Sequence, residues 1–141
     1  MPPATMPKML MEVERGADVA IGSRYAAGGK DARGDWMPIA FSWVINTAAR
    51  ILLGPPVRDY TTGFVAARRA VLDAIPLRGD YGEYCIDFLT RAKRKGFVIR
   101  EVGYVCQPRA HGESKTAPSF FGFITRGWKY VVTILRLAVS R

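Results

Sequence analysis

The run from Asp18 to Gly22 (DVAIG) constrains this chain most. It is five residues long, apolar and β-branched between its ends, so it is expected to be a buried strand rather than a helix. Helical patterns flank it. Upstream, Thr5 to Glu14 puts Met6, Met9, Leu10 and Val13 on one face, with Pro7 in the first turn and Gly16 as the stop. Downstream, Gly28 and Gly29 open a polar loop carrying Lys30, Asp31, Arg33 and Asp35, and an apolar helix follows from Trp36 to Leu53. In that helix Ser42, Asn46 and Arg50 recur every four residues, and Phe41, Ile45, Ala48 and Leu52 form the core-spaced line on a neighbouring face. Gly54-Pro55-Pro56 ends it. The remainder continues the alternation: a strand at Thr62 to Ala67, a short helix at Ala70 to Ile75 stopped by Pro76, a helix at Glu83 to Lys95 and a strand at Phe97 to Cys106. Strands alternating with helices predict an α/β fold.

Charge narrows the partners. The 141 residues hold 21 lysines and arginines against 12 acids, a net charge of +9. That excess calls for an anionic partner: nucleic acid, anionic lipid or a phosphorylated substrate. Nucleic acid is the weakest of these, because the cations are spread over loops and one helix face without a recognition motif. Cys85 and Cys106 are the only cysteines and His111 the only histidine, which leaves no zinc pattern and predicts reduced thiols. We expect no secretory leader and no uncharged run of the ~20 residues that cross a bilayer, so the chain is expected to lie on a membrane at most. The final segment, Phe120 to Arg141, puts Arg126, Lys129, Arg136 and Arg141 in one sector of a helical wheel. Ile124, Trp128, Val131, Leu135 and Ala138 lie opposite. This suits a helix in the membrane interface, or one packed on the core with a solvated basic face.

Three clusters carry chemistry. Gly22-Ser23-Arg24-Tyr25 ends the first strand, where open α/β sheets bind ligands and an arginine fork suits phosphate oxygens. Arg109, Ser114 and Lys115 surround a glycine turn at Gly112 and have the composition of a phosphate loop or of a solvated basic one. Asp59 precedes Thr61, Thr62, Gly63 and Phe64, either orienting a sugar hydroxyl or starting a strand through an Asx turn. Glu83 and Asp87 lie one helical turn apart; with Lys93 and Arg94 nearby, a solvated face is the plainer expectation.

In order, GADVAIGSRYAAGGKD, DYTTGF, YGEY with Asp87, and RAHGESK resemble the second half of family 2 glycosyltransferases of the dolichyl-phosphate mannose synthase type. The resemblance runs from about Pro3 to the last helix, and its specificity lies in the ordered set. It implies the acceptor-side half of a GT-A mixed-sheet fold over residues 1–118, with an amphipathic acceptor-loop helix at about 36–53 and a membrane-interface helix at 119–141. The implied reaction passes mannose or glucose from a nucleotide diphosphate sugar to a polyprenyl or dolichyl phosphate, on the cytoplasmic face of a membrane. The acceptor phosphate is already ionised, so positioning and charge neutralisation would carry catalysis. By resemblance, Asp59 and Arg24 are the catalytic pair. Ser23, Arg24, Lys30, Arg33, Arg109, Ser114 and Lys115 would hold the acceptor phosphate. Tyr25, Thr62, Gly63, Glu83 and Asp87 would position the sugar or the loops.

The chain departs from the family pattern in two places. Met37, Pro38 and Ile39 stand where many relatives carry an arginine, which leaves either Lys30 or Arg33 to supply that charge or a lower affinity for the acceptor. No Asp-x-Asp occurs, so ligands for the Mg²⁺ or Mn²⁺ of the full-length family are absent here. The expectation is therefore a chain that begins past its metal motif, inactive without an N-terminal half. Its open sheet edge would be covered by a partner chain or a second copy. A non-catalytic membrane-surface module derived from such an enzyme is the alternative.

Overall fold

The computed structural model describes residues 2–79, 82–108 and 120–140, with side chains of the last helix from residue 127 onward. Helix α1 (Thr5–Glu14) leads into strand β1 (Val19–Ser23), the middle strand of a mixed sheet ordered β3-β1-β4. Strand β3 (Val65–Ala67) runs antiparallel to β1, pairing Val19 with Ala67 and Ile21 with Val65. Strand β4 (Ile99–Gly103) runs parallel to it, from Val19 opposite Ile99 to Ser23 opposite Gly103. A second, two-stranded ladder joins β2 (Lys30–Asp31) in parallel to β5 (Val105–Cys106).

All five residues of β1 are buried, as the DVAIG run requires. Side chains alternate across a strand, so the two faces of β1 enter different cores. Val19 and Ile21 pack with Ile45 and Ala49 of α2 (Trp36–Leu53), Ile86 and Leu89 of α4 (Tyr84–Arg94), and Ile134 and Leu137 of α5 (Phe120–Val139). Ala20 faces the other way, against Met9 of α1, Phe64 and Tyr104. The result is three layers, with α1 on one side of the sheet and α2, α4 and α5 on the other. The short α3 (Arg69–Ala74) follows β3 and buries Val71.

Four expectations change in three dimensions. Strand β3 begins only at Val65, because the Thr62 hydroxyl accepts the Phe64 N–H at 3.2 Å and folds that stretch into a local turn. The single strand expected over Phe97 to Cys106 divides at Tyr104, whose N–H goes to Ser23 and whose carbonyl goes to Lys30. A Cβ on Gly103 would stand 2.1 Å from the Ala27 carbonyl oxygen, so glycine lets the loop after β1 cross at that division. Glu83 and Asp87 are buried, not solvated. Asp87 is held by Arg91 of its own helix and by Arg136 of α5, at 2.5 and 3.3 Å.

The fourth change is the orientation of α2. Two of its three stripe residues turn inward, Ser42 and Asn46, buried with Ile45, Ala49 and Leu53, whereas Arg50 is exposed. Apolar residues turn outward instead, with Trp36 74 %, Trp43 59 %, Val44 55 % and Ile51 75 % exposed. Leu52, expected in the core, is exposed. This helix has the length and hydropathy of a membrane span, a mean of 1.2 over 18 residues. Its inward stripe is nevertheless hydrogen-bonded to the protein, as described below, which keeps it on the domain. Helix α5 packs beside it, with the Phe41 and Tyr130 rings edge to face at 6.1 Å. It sends Ile134 and Leu137 into the core and leaves Trp128, Val132, Leu135 and Val139 exposed. Val131 and Ala138 pack against the core, so the apolar side expected for this helix divides between the interior and the surface.

Candidate functional site

The C-terminal end of β1 delivers the site. The Ser23 hydroxyl accepts the N–H groups of Tyr25 and Ala26 at 3.2 and 3.1 Å, turning the chain directly after the strand. Arg24 thereby points into the space between the sheet and the inner face of α2, where it is 7 % exposed. All five guanidinium N–H groups find acceptors there. Nε and Nη2 grip the two oxygens of Asp59 at 2.8 and 2.7 Å, and Nη2 also reaches the Thr61 hydroxyl at 2.6 Å. Nη1 donates to Asp31 and to the Ser42 hydroxyl, both at 3.3 Å. The Arg24 backbone N–H donates to Asp59 as well, at 3.0 Å. Burial opposes the Arg24 charge, but the hydrogen bonds and charge of Asp59 outweigh it and raise the pKa further.

Asn46 completes the cradle. Its amide nitrogen donates to the Ser42 carbonyl, the Thr61 hydroxyl and Asp59, and its oxygen accepts the N–H groups of Tyr60 and Thr61. The Asp59 turn is thus hung on the inner stripe of α2. From the sheet side, one Glu101 oxygen accepts the N–H groups of Arg58 and Asp59 at 2.8 and 3.1 Å. Burial pushes the Glu101 carboxyl above its ordinary range against those two hydrogen bonds.

Arg33 enters the same network. It holds both oxygens of Asp31 at 2.8 and 2.6 Å and shares the Ser42 hydroxyl with Arg24. Burial would raise the Asp31 carboxyl, but Arg33 and Arg24 bring it below its ordinary range. Two arginines and two aspartates therefore form a compact, charge-balanced unit.

The residues singled out from the sequence divide accordingly. Arg24, Arg33, Ser23 and Asp59 come together, yet every guanidinium N–H of Arg24 is used inside the protein, leaving none for a phosphate in this arrangement. Tyr25 lies over the Arg24 guanidinium, 5.3 Å from carbon to ring centroid, and burial raises its phenol pKa. Lys30 is exposed on β2. Thr62 is buried, and its carbonyl accepts the Cys85 thiol, whose pKa burial pushes up to about 12. Gly63 is exposed beside the Tyr84 hydroxyl. Glu83 is buried with one oxygen unpaired, and no described hydrogen bond joins Glu83 or Asp87 to the Arg24–Asp59 unit. Arg109, His111, Ser114 and Lys115 lie outside the described residues. Asp31, Ser42, Asn46, Thr61 and Glu101 were not singled out as site residues. The i, i+4 spacing of Ser42 and Asn46 on an otherwise apolar helix was the available signal.

Among the described residues, no three His, Cys, Asp or Glu side chains converge as a metal site. The nearby carboxylates of Asp31 and Asp59 are already bonded to arginines, so this part of the chain does not fit a divalent ion.

A mixed α/β sheet with a polar site at a strand end is consistent with a glycosyltransferase fold. No protein-family profile matches the chain. Over 120 residues it is 40 % identical to the polyprenol monophosphomannose synthase of Mycolicibacterium smegmatis, covering 83 % of this chain and 45 % of that protein. It is 38 % identical over 125 residues to the undecaprenyl-phosphate mannosyltransferase of Micrococcus luteus, covering 85 % and 50 %. The dolichol-phosphate mannosyltransferase of Pyrococcus furiosus is 33 % identical over 117 residues, covering 81 % and 32 %. The chain is thus similar, over most of its own length, to a C-terminal segment of proteins named as mannosyltransferases of polyprenol, undecaprenyl and dolichol phosphates. It spans half or less of the length of these relatives.

Proposed function

We propose that this chain forms the acceptor-side part of a GT-A glycosyltransferase that passes a hexose, mannose or glucose, from a nucleotide diphosphate sugar to a polyprenyl phosphate. The observation that carries this reading is the two-sided α2. One helix holds the Arg24–Asp59 unit on its inner face and presents Trp36, Trp43, Val44 and Ile51 on its outer face. A phosphate on a lipid tail needs that combination: a polar site a helix's thickness from an apolar, tryptophan-bearing surface on which the tail's membrane rests.

In this reading the domain sits peripherally on the cytoplasmic face of the membrane, with α2 and α5 in the interface. The Arg24–Asp59 unit acts by positioning. Asp59 accepts five hydrogen bonds (three from Arg24 and one each from Asn46 and Thr61), and Glu101 anchors its turn from behind, so little motion is needed when charge develops nearby. The acceptor phosphate draws on Lys30 and on the Arg109, Ser114 and Lys115 segment, because Arg24 is already committed. The divalent ion and the nucleotide diphosphate would be held by the part of the relatives that lies outside the matched segment.

The test is a transfer assay on membranes containing polyprenyl phosphate, with labelled GDP-mannose or UDP-glucose and Mg²⁺ or Mn²⁺. The chain alone is compared with the chain fused behind the unmatched N-terminal part of the M. smegmatis relative. Activity in the fusion that D59N lowers at least tenfold supports the reading. Activity in neither form assigns the chain to a non-catalytic membrane-surface module.

A further inference from the structure

A cleft of about 680 Å³ opens between the last turns of α2 and the segment from Pro55 to Arg58. Its walls include Ile51, Pro55, Pro56 and Val57, and two arginines, Arg50 and Arg58, stand at it. None of the described residues that line it is a carboxylate. Most described arginines are occupied: Arg24 and Arg33 in the site, Arg68, Arg69, Arg91, Arg100 and others with nearby acids. Arg50 and Arg58 make no side-chain hydrogen bond or ion pair among the described residues. The nearest acid, Glu101, spends one oxygen on the backbone N–H groups of Arg58 and Asp59. Two unspent guanidinium forks on an apolar-walled cleft match the chemistry of a phosphate ester, which arginine holds through paired N–H groups.

We propose that this cleft is a second anion site, sharing no side chain with the Arg24–Asp59 unit, and that it takes the phosphodiester of an anionic membrane phospholipid. The source follows from its position. Ile51 lines the cleft and is itself 75 % exposed, continuing the outward face of Trp43 and Val44. A phosphate entering from the interface brings glycerol and acyl carbons against Ile51 and the prolines. The proposal rests on the reading that the outer face of α2 lies on a membrane, and its effect would be to fix the rotation of the domain on that membrane. It requires no transfer chemistry.

The experiment is vesicle co-sedimentation of the full chain on phosphatidylcholine alone and on phosphatidylcholine with phosphatidylglycerol. The variant R50Q/R58Q is compared with K8Q/R78Q, which removes the same charge from exposed positions elsewhere. Two cations at a membrane surface set the scale, so R50Q/R58Q is expected to weaken binding to phosphatidylglycerol vesicles about 30-fold, and K8Q/R78Q less than about threefold. Equal losses in the two variants would overturn the site, leaving net charge as the cause. A second arm titrates glycerol phosphate by calorimetry. Saturable binding lost in R50Q/R58Q, in a chain that sediments with neither vesicle, would overturn the lipid source and the membrane reading while keeping a soluble-phosphate site. Binding of neither vesicles nor glycerol phosphate overturns the proposal, and sedimentation on phosphatidylcholine alone that W43S/V44S abolishes and R50Q/R58Q leaves unchanged keeps the membrane reading without the cleft. Thermal melts of both variants confirm that they fold.

Discussion

Arg24 and Asp59, 35 residues apart, meet in a two-pronged ion pair at 2.7 and 2.8 Å, and Asp59 is fully buried. The pair fastens the end of β1 to the turn before β3. Ser42 and Asn46 attach both partners to α2, so sheet, turn and interface helix are joined at one point.

Removing one partner should cost far more than removing both. D59A leaves the Arg24 charge buried without its counter-ion, a loss of about 3–5 kcal/mol. The double variant R24M/D59L, apolar at both positions, should recover much of that. Urea unfolding of the three proteins checks it. A D59A cost below about 1 kcal/mol would show that the pair does not hold this part of the fold.

Glu101 gives a pH-dependent outcome. Its folded pKa is raised by burial, so ionisation costs the native state, and the wild type regains stability as pH falls through that raised pKa towards 4.5. E101Q keeps an oxygen for the Arg58 and Asp59 N–H groups and carries no charge. It should melt above the wild type at pH 7, and the difference should vanish below about pH 4.5, the ordinary value. A gap that widens on acidification would contradict this account.

The orientation of α2 is tested by paired substitutions on its two faces. I45A, directed inward, should cost about 2–5 kcal/mol. W43S/I51S, directed outward, should change stability by no more than about 0.5 kcal/mol per position and sharply weaken vesicle binding. The reverse pattern in thermal melts would place the core on the other side of the helix.

Gly103 should resist even alanine. Its missing Cβ leaves room for the Ala27 carbonyl oxygen and for the Gly29 nitrogen, which a Cβ would approach to 2.1 and 2.6 Å. These are backbone atoms and cannot swing away. G103A should cost about 1–3 kcal/mol through overpacking, and hydrogen exchange should show faster opening of the Lys30 amide, which bonds to the Tyr104 carbonyl. An unchanged exchange rate would mean that the loop does not depend on this approach.

Local patterns carried the element list. The ends of α1 and α2 follow from the breakers at Gly16 and Gly54, β1 follows from an apolar run too short to be a helix, and the order of the clusters pointed to the relatives. These features were legible because each depends on residues within a few positions of one another. The tertiary structure decided what those patterns faced. Periodicity fixes the angle between the stripes of a helix but not which stripe meets the protein, and α2 buries Ser42 and Asn46 among Ile45, Ala49 and Leu53 while exposing Trp36, Trp43, Val44 and Ile51. The cations of Arg24 and Arg33 looked available for phosphate because their neutralising contacts are settled by folding: Asp59 is distant in sequence, and Asp31 is brought against both by the loop after β1. Glu83 and Asp87 looked solvated for the same reason, since Arg136, which holds Asp87 from α5, lies 49 residues away.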